Sequence, residues 1–214
     1  MDKNFNLHQV SPFEMDIMRE VGNIGSGNAM TALSILLNKR LEMDIAEVHI
    51  EKGPNVLSIL GDEENYVSST IVEVFGDIEG MLIMSLEKES ALNLINHVNQ
   101  ASDLEKAERK EVHDLDDVDF SILGEFGNIL AGSYLRSLNM MTGLNLNQSL
   151  PQTAIDMAGA ILSYPVLQFS NNNDELIFVR SIFKDDSGLL KGSYILILSE
   201  DTFEKIISSI EGKC

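Results

Sequence analysis

The chain has 214 residues, 44% of them hydrophobic, enough to bury a sizeable core, and this length admits one large domain or two small ones. Its 15 Lys and Arg against 34 Asp and Glu leave a formal charge of −19, which argues against nucleic acid and anionic lipid as partners. The one cysteine, Cys214, excludes an intramolecular disulfide and a Cys-based structural metal site.

In chain order, the opening MDKNFNLHQVSPFEMD has neither the basic start nor the apolar core of a signal peptide. No apolar run reaches the ~18 residues a bilayer demands, so a cytoplasmic protein without membrane insertion is expected. Hydrophobic periodicity predicts a helix over about 12–38, strands near 44–51, 55–61, 67–76 and 79–86, and a helix near 88–98. The charged stretch Asn99 to Asp117 (NQASDLEKAERKEVHDLDD) reads as a partly helical, solvated connector.

Beyond the connector the pattern repeats. FEMDIMREVGNIGSGN, from Phe13, aligns without gaps with VDFSILGEFGNILAGS, from Val118, at an offset of 105 residues, Asn128 standing opposite Asn23. A second alignment, from Gly80 against Gly192, has an offset of 112. Two halves, about 1–98 and 118–214, are therefore expected to share one core, with hairpin-length gaps favouring antiparallel pairing. The predicted fold class is α+β: an internally duplicated, pseudo-two-fold single domain over 1–214 with a mostly antiparallel sheet and two exposed motif helices.

On a helix, positions i, i+4 and i+7 share a face, so Asp16, Glu20 and Asn23 form one polar stripe and Ser121, Glu125 and Asn128 its duplicate. Ile17, Val21 and Ile24, with Ile122, Phe126 and Ile129 as counterparts, are expected to face the core. Gly27 and Gly132 continue the stripes despite a cost of roughly 1 kcal/mol against alanine, which predicts close approach of another backbone. Gly22 and Gly127 are assigned to helix–helix packing. Asn28, whose counterpart is Ser133, is expected to make a buried hydrogen bond to backbone.

A solvated helix face would explain one Glu and Asn pair. Two copies at one spacing, including an Asn of below-average helix propensity, point to chemistry instead. His8, His49, His97 and His113 are scattered with no i, i+4 partner, and no Ser–His pair is in range, so covalent catalysis is not expected. A metal site would need three or more converging ligands, which one stripe offers only over two turns. A carboxamide, however, can accept from and donate to its surroundings and so orient a water without taking its proton. Phosphoryl transfer asks for little more if the substrate brings its own metal and cation.

At these residues the sequence resembles the CheC, CheX and FliY family of chemotaxis phosphatases, whose motif reads Asp/Ser-x3-Glu-x2-Asn followed 22 residues later by Pro. Ser121, Glu125, Asn128 and Pro151 match it throughout. Asp16, Glu20 and Asn23 match, but the expected proline is Ala46, a departure expected to affect the turn into the next strand and not the chemistry. Two motifs, and no further carboxy-terminal flagellar switch domain, resemble CheC more than CheX or FliY.

The resemblance implies hydrolysis of the aspartyl-phosphate of a CheY-type response regulator. Asn23 and Asn128 would orient water, Glu20 and Glu125 would contact the regulator's lysine, and Asp16 and Ser121 would be auxiliary. It implies no cofactor or metal of the chain's own, Mg2+ being held by the regulator, and a second partner, the receptor deamidase CheD. The alternative is a non-catalytic module that docks phosphorylated regulator or sequesters CheD.

Overall fold

The computed structural model describes residues 10–52, 59, 62–101, 108–169 and 175–212. In order these form α1 (Pro12–Leu37), β1 (Leu41–Met43), β2 (Glu47–Lys52), β3 (Tyr66–Gly76), β4 (Gly80–Glu87) and α2 (Lys88–Ala101). After a 3-10 turn at Val112–Asp114 come α3 (Asp117–Thr142), β5 (Leu146–Gln148), β6 (Gln152–Met157), α4 (Ala158–Phe169), β7 (Glu175–Asp185), β8 (Lys191–Leu198) and α5 (Glu200–Glu211).

The duplication extends to the helix ends. Ser11 caps α1 through a reciprocal box with Glu14, and Asp116, at the same offset of 105, caps α3 with Asp119. Both helices stop on a left-handed residue, Asn38 (φ 49°) and Gly143 (φ 77°), again 105 apart. Arg109 secures the start of α3, its Nε donating to Asp119 at 2.8 Å and its NH2 to Asp116 at 2.7 Å.

Among the described residues the strands form one sheet of order β1-β7-β8-β4-β3-β5, with β2 also paired to β7 and β6 to β3. Every pairing is antiparallel. The halves interlock: β1 and β2 of the first half pair with β7 of the second, and β5 and β6 of the second pair with β3 of the first. In each half the predicted helix and the two long strands are present, whereas the strand expected at 44–51 begins only at Glu47 as β2, with a separate short β1 at Leu41–Met43 before it. The strand expected at 55–61 lies outside the described residues except for Ile59.

Alternation along the strands gives the sheet two apolar faces. Val72, Val74, Leu82, Met84, Val179 and Leu196 face a core completed by α1, α3, α2 and α5. Ile71, Met81, Ile83, Phe178, Ile195 and Ile197 face the other way and are covered by Ala158, Ile161 and Leu162 of α4. That helix stands where repetition of the strand expected at 55–61 would place a strand, about 160–166. Pro165 stands inside it, and the helix covers a sheet face that would otherwise be wet. Its first amides are tied down, Ala158 N–H to Asn65 O at 2.9 Å and Gly159 N–H to Glu63 O at 3.1 Å.

Candidate active site

α1 and α3 lie side by side on the first face, α1 over β7 and β2 and α3 over β3 and β5. What brings each helix down on its strand is a glycine. A Cβ on Gly22 would come within 2.4 Å of Val179 Cγ1 and 2.8 Å of Ala46 Cβ, and one on Gly127 within 2.3 Å of Thr70 Cγ2. These two glycines therefore serve helix–sheet packing, correcting their assignment to helix–helix contact. The close helix–helix approach is at Gly25, against the ring of Tyr134. Gly27 has nothing near it and Gly132 only Gln148 Oε1 at 3.6 Å, so neither meets another backbone as the sequence suggested. They lie on the open side of the helices.

The core-facing set is also shifted by part of a turn. Val21 and Phe126 are buried, but Ile17, Ile24, Ile122 and Ile129 are half-buried, and Met18, Gly22, Gly25 and Ala29 take the innermost positions of α1. Asn28 donates to Ile24 O at 2.9 Å, as expected in kind, but it is exposed and Ser133 half-buried, so this bond is not a buried one.

With that rotation the six stripe residues point outward and Asn23 and Asn128 stand at the boundary. Asp16, Glu20, Ser121 and Glu125 are exposed, and both asparagines are half-buried. Asp16 pairs with Arg19 on its own helix, and Ser121 Oγ donates to Asp117 O at 2.8 Å. No hydrogen bond or ion pair engages Glu20 or Glu125 among the described residues, which leaves both carboxylates to solvent or a partner.

Each asparagine is held at its carboxamide oxygen. Ala46 N–H donates to Asn23 Oδ1 at 2.8 Å, and Gln148 Nε2 donates to Asn128 Oδ1 at 2.6 Å. The orientation of both amides is fixed by chemistry. A backbone N–H only donates, so the atom of Asn23 facing it is oxygen. Gln148 Nε2 also reaches Asn128 O at 3.3 Å, and a carbonyl only accepts, so Gln148 presents nitrogen and Asn128 presents oxygen. Both Nδ2 groups are without a hydrogen bond among the described residues. Gln148 escaped the sequence reading because a lone polar residue at a strand end carries no motif, and Ala46 was set aside as a turn residue when its amide in fact touches the site.

Because Ala46 lies beyond β7 and Gln148 beyond β3, the two sites hang on opposite edges of the sheet. Five strand spacings separate those edges, roughly 20–25 Å. Exposed apolar side chains recur with the duplication: Phe13 and Val118 in the first helical turns, and Ile45 and Leu150 immediately before Ala46 and Pro151. Ile45 is 72% and Leu150 86% exposed, so in each copy an unburied apolar residue lies one or two positions along the chain from the residue that anchors the asparagine.

This fold is shared with chemotaxis proteins of known structure, FliY and CheX among them. The model of the CheC-like family matches residues 13–45, and that of chemotaxis phosphatase CheX matches residues 68–167. The chain is 31% identical over 199 residues to the CheY-P phosphatase CheC of Bacillus subtilis (strain 168), covering 92% of this chain and 93% of that protein. It is similar in structure to Thermotoga maritima FliY, with TM-score 0.75 and 26% identity over 96% of this chain and 100% of that one. The FliM middle domain from H. pylori shares the fold at 12% identity and TM-score 0.65, covering 94% and 99%. The chain belongs to the CheC family. No helix among the described residues is long and apolar enough to cross a membrane.

Proposed function

We propose that the chain is a phosphatase that hydrolyses the aspartyl-phosphate of a CheY-type response regulator in the cytoplasm during chemotaxis, with one active site on α1 and one on α3. The observation that carries this reading is the pair of anchored carboxamides, each oxygen held by an internal donor and each Nδ2 without a hydrogen bond among the described residues, three positions along the helix from an exposed glutamate. The B. subtilis relative is named for this activity. A solved complex joins CheX of Borrelia burgdorferi to CheY with BeF3 and Mg2+, at 22% identity and TM-score 0.51.

In this reading Glu20 or Glu125 meets a cation of the regulator while Ile45 or Leu150 packs on its surface. Asn23 or Asn128 enters the phosphate pocket and holds a water in line. The water oxygen bonds to phosphorus as the bond from phosphorus to the aspartyl oxygen breaks; both water protons leave with the phosphate as H2PO4−, and the aspartate is released as the free carboxylate. The carboxamide takes no proton; it contributes position, which in phosphoryl transfer is a large part of catalysis. The required metal ion belongs to the regulator. Asp16 and Ser121 are auxiliary, Asp16 by holding Arg19 beside the stripe. CheD is the proposed second partner, on family resemblance.

The test is to mix the chain with a ³²P-labelled CheY-type regulator and Mg2+ and follow loss of label. Accelerated decay that disappears in Asn23→Ala/Asn128→Ala, with the variant still folded, is the expected result. Decay no faster than that of the regulator alone, with binding retained, would leave a docking module instead.

A further inference from the structure

The two sites fix the same atom with different donors, and the difference follows the repeat. At the offset of 105, Gln148 stands opposite Met43 and Pro151 opposite Ala46. Both positions are equivalent in the fold: Met43 pairs with Phe183 of β7 and Gln148 with Val74 of β3, while Asp44 N–H bonds Ile182 O and Ser149 N–H bonds Glu73 O, each at 2.9 Å. The second site has a proline, which offers no N–H, and a glutamine side chain supplies the donor. The first has a methionine, which donates nothing, and the Ala46 amide supplies it.

We infer that Gln148 and the Ala46 N–H are interchangeable positioning groups for the catalytic carboxamide, so that residues 43 and 46, and 148 and 151, are functional only as pairs. A half-buried carboxamide without such a donor has no fixed orientation, because its oxygen and nitrogen are nearly equal in shape. Holding Oδ1 at one internal donor leaves its second lone pair and the Nδ2 hydrogens for the water and the regulator. Gln148→Met with Pro151 retained, and Ala46→Pro with Met43 retained, are the combinations that leave the oxygen without a donor.

The kinetic arm rests on the phosphatase reading above; the spectroscopic arm does not. In an Asn23→Ala background, Gln148→Met is expected to lower the kcat of the second site about tenfold with KM little changed, as for loss of one positioning hydrogen bond. Gln148→Met/Pro151→Ala should recover most of it through the new amide. Gln148→Glu, equal in shape but facing Asn128 Oδ1 with an acceptor, should lose at least as much. In an Asn128→Ala background, Ala46→Pro and Met43→Gln/Ala46→Pro repeat the cycle at the first site; because Ala46 is buried against Gly22, the Gln148 series decides the matter if Ala46→Pro fails to fold.

The side-chain amide resonances of Asn128 in 15N-labelled protein should shift and exchange faster in Gln148→Met and return toward wild type in the double variant. Unchanged kcat and unchanged resonances in Gln148→Met, or a double variant no better than the single one, would overturn the pairing. If the wild-type chain turned over no regulator, the phosphatase reading would fail while the amide resonances still decided the pairing.

Discussion

Gly127 of α3 lies so close to Thr70 of β3 that a methyl group on it would overlap the threonine side chain, and Gly22 of α1 stands in the same relation to Val179 of β7. These contacts set how deeply each motif helix sits on the sheet. They therefore set how far each asparagine is from the strand end that anchors it.

Gly22→Ala and Gly127→Ala should each destabilise the fold by about 1–3 kcal/mol through overpacking. Gly27→Ala should do the reverse, stabilising by up to about 1 kcal/mol, since its α-carbon faces open space and alanine is the better helix former. Urea unfolding midpoints of the three variants check both signs. Equal effects at Gly22 and Gly27 would mean that the packing contact carries no energy.

Interlocked pairing has a consequence for cooperativity. Among the described residues β1 and β2 find their strand partner in β7 alone, and β5 and β6 in β3 alone, so each half's sheet is completed by the other. The expected outcome is a single unfolding transition that coincides by circular dichroism and tyrosine fluorescence. A fragment covering 1–98 should stay unfolded. A folded fragment, or two separated transitions, would count against the halves forming one domain.

Asp185, buried at the end of β7, accepts from Lys39 Nζ at 3.1 Å, Ser187 Oγ at 2.6 Å and Leu190 N–H at 3.0 Å. Burial would raise its pKa, but the hydrogen bonds from Ser187 and Leu190 and the Lys39 charge outweigh it and hold the carboxyl down at about 2. A carboxyl whose folded value lies below its unfolded value of about 3.9 stabilises fully above that value, and the contribution disappears as pH falls through about 2. Asp185→Asn should therefore unfold at lower urea than wild type at pH 7, with the gap closing between about pH 4 and pH 2. A gap independent of pH would assign the effect to packing.

The legible parts were those that repeat or have a period. The helix over 12–38, the long strands and the outward stripe of Asp16, Glu20 and Asn23 all follow from spacing. The inner face of α1 was displaced because its floor is built from Gly22, Gly25 and Ala29, which close packing buries and hydrophobicity does not mark. α4 is not legible because repetition of the strand expected at 55–61 calls for a strand there, and the need to cover Met81, Ile83 and Ile195 is a property of the folded sheet. The donors to the asparagines were invisible for the same reason. Ala46 and Gln148 lie 23 and 20 residues along the chain from their acceptors, and one of them acts through its backbone.

The docking stripe gives the last prediction. Ile45 and Leu150 stay exposed in both copies, and Glu20 and Glu125 have no hydrogen bond or ion pair among the described residues, so on the proposed function replacing them should weaken docking of the regulator with little effect on the fold. Ile45→Ser in an Asn128→Ala background, and Leu150→Ser in an Asn23→Ala background, should raise KM several-fold with kcat nearly unchanged, the behaviour of lost uniform binding. Glu20→Ala and Glu125→Ala in the same backgrounds should also raise KM, and added salt should shrink their effect while leaving that of the apolar variants, because only the charge contact is screened. Unfolding midpoints should hardly move. A fall in kcat at constant KM for Leu150→Ser would place that residue in the water-positioning step instead of the docking surface.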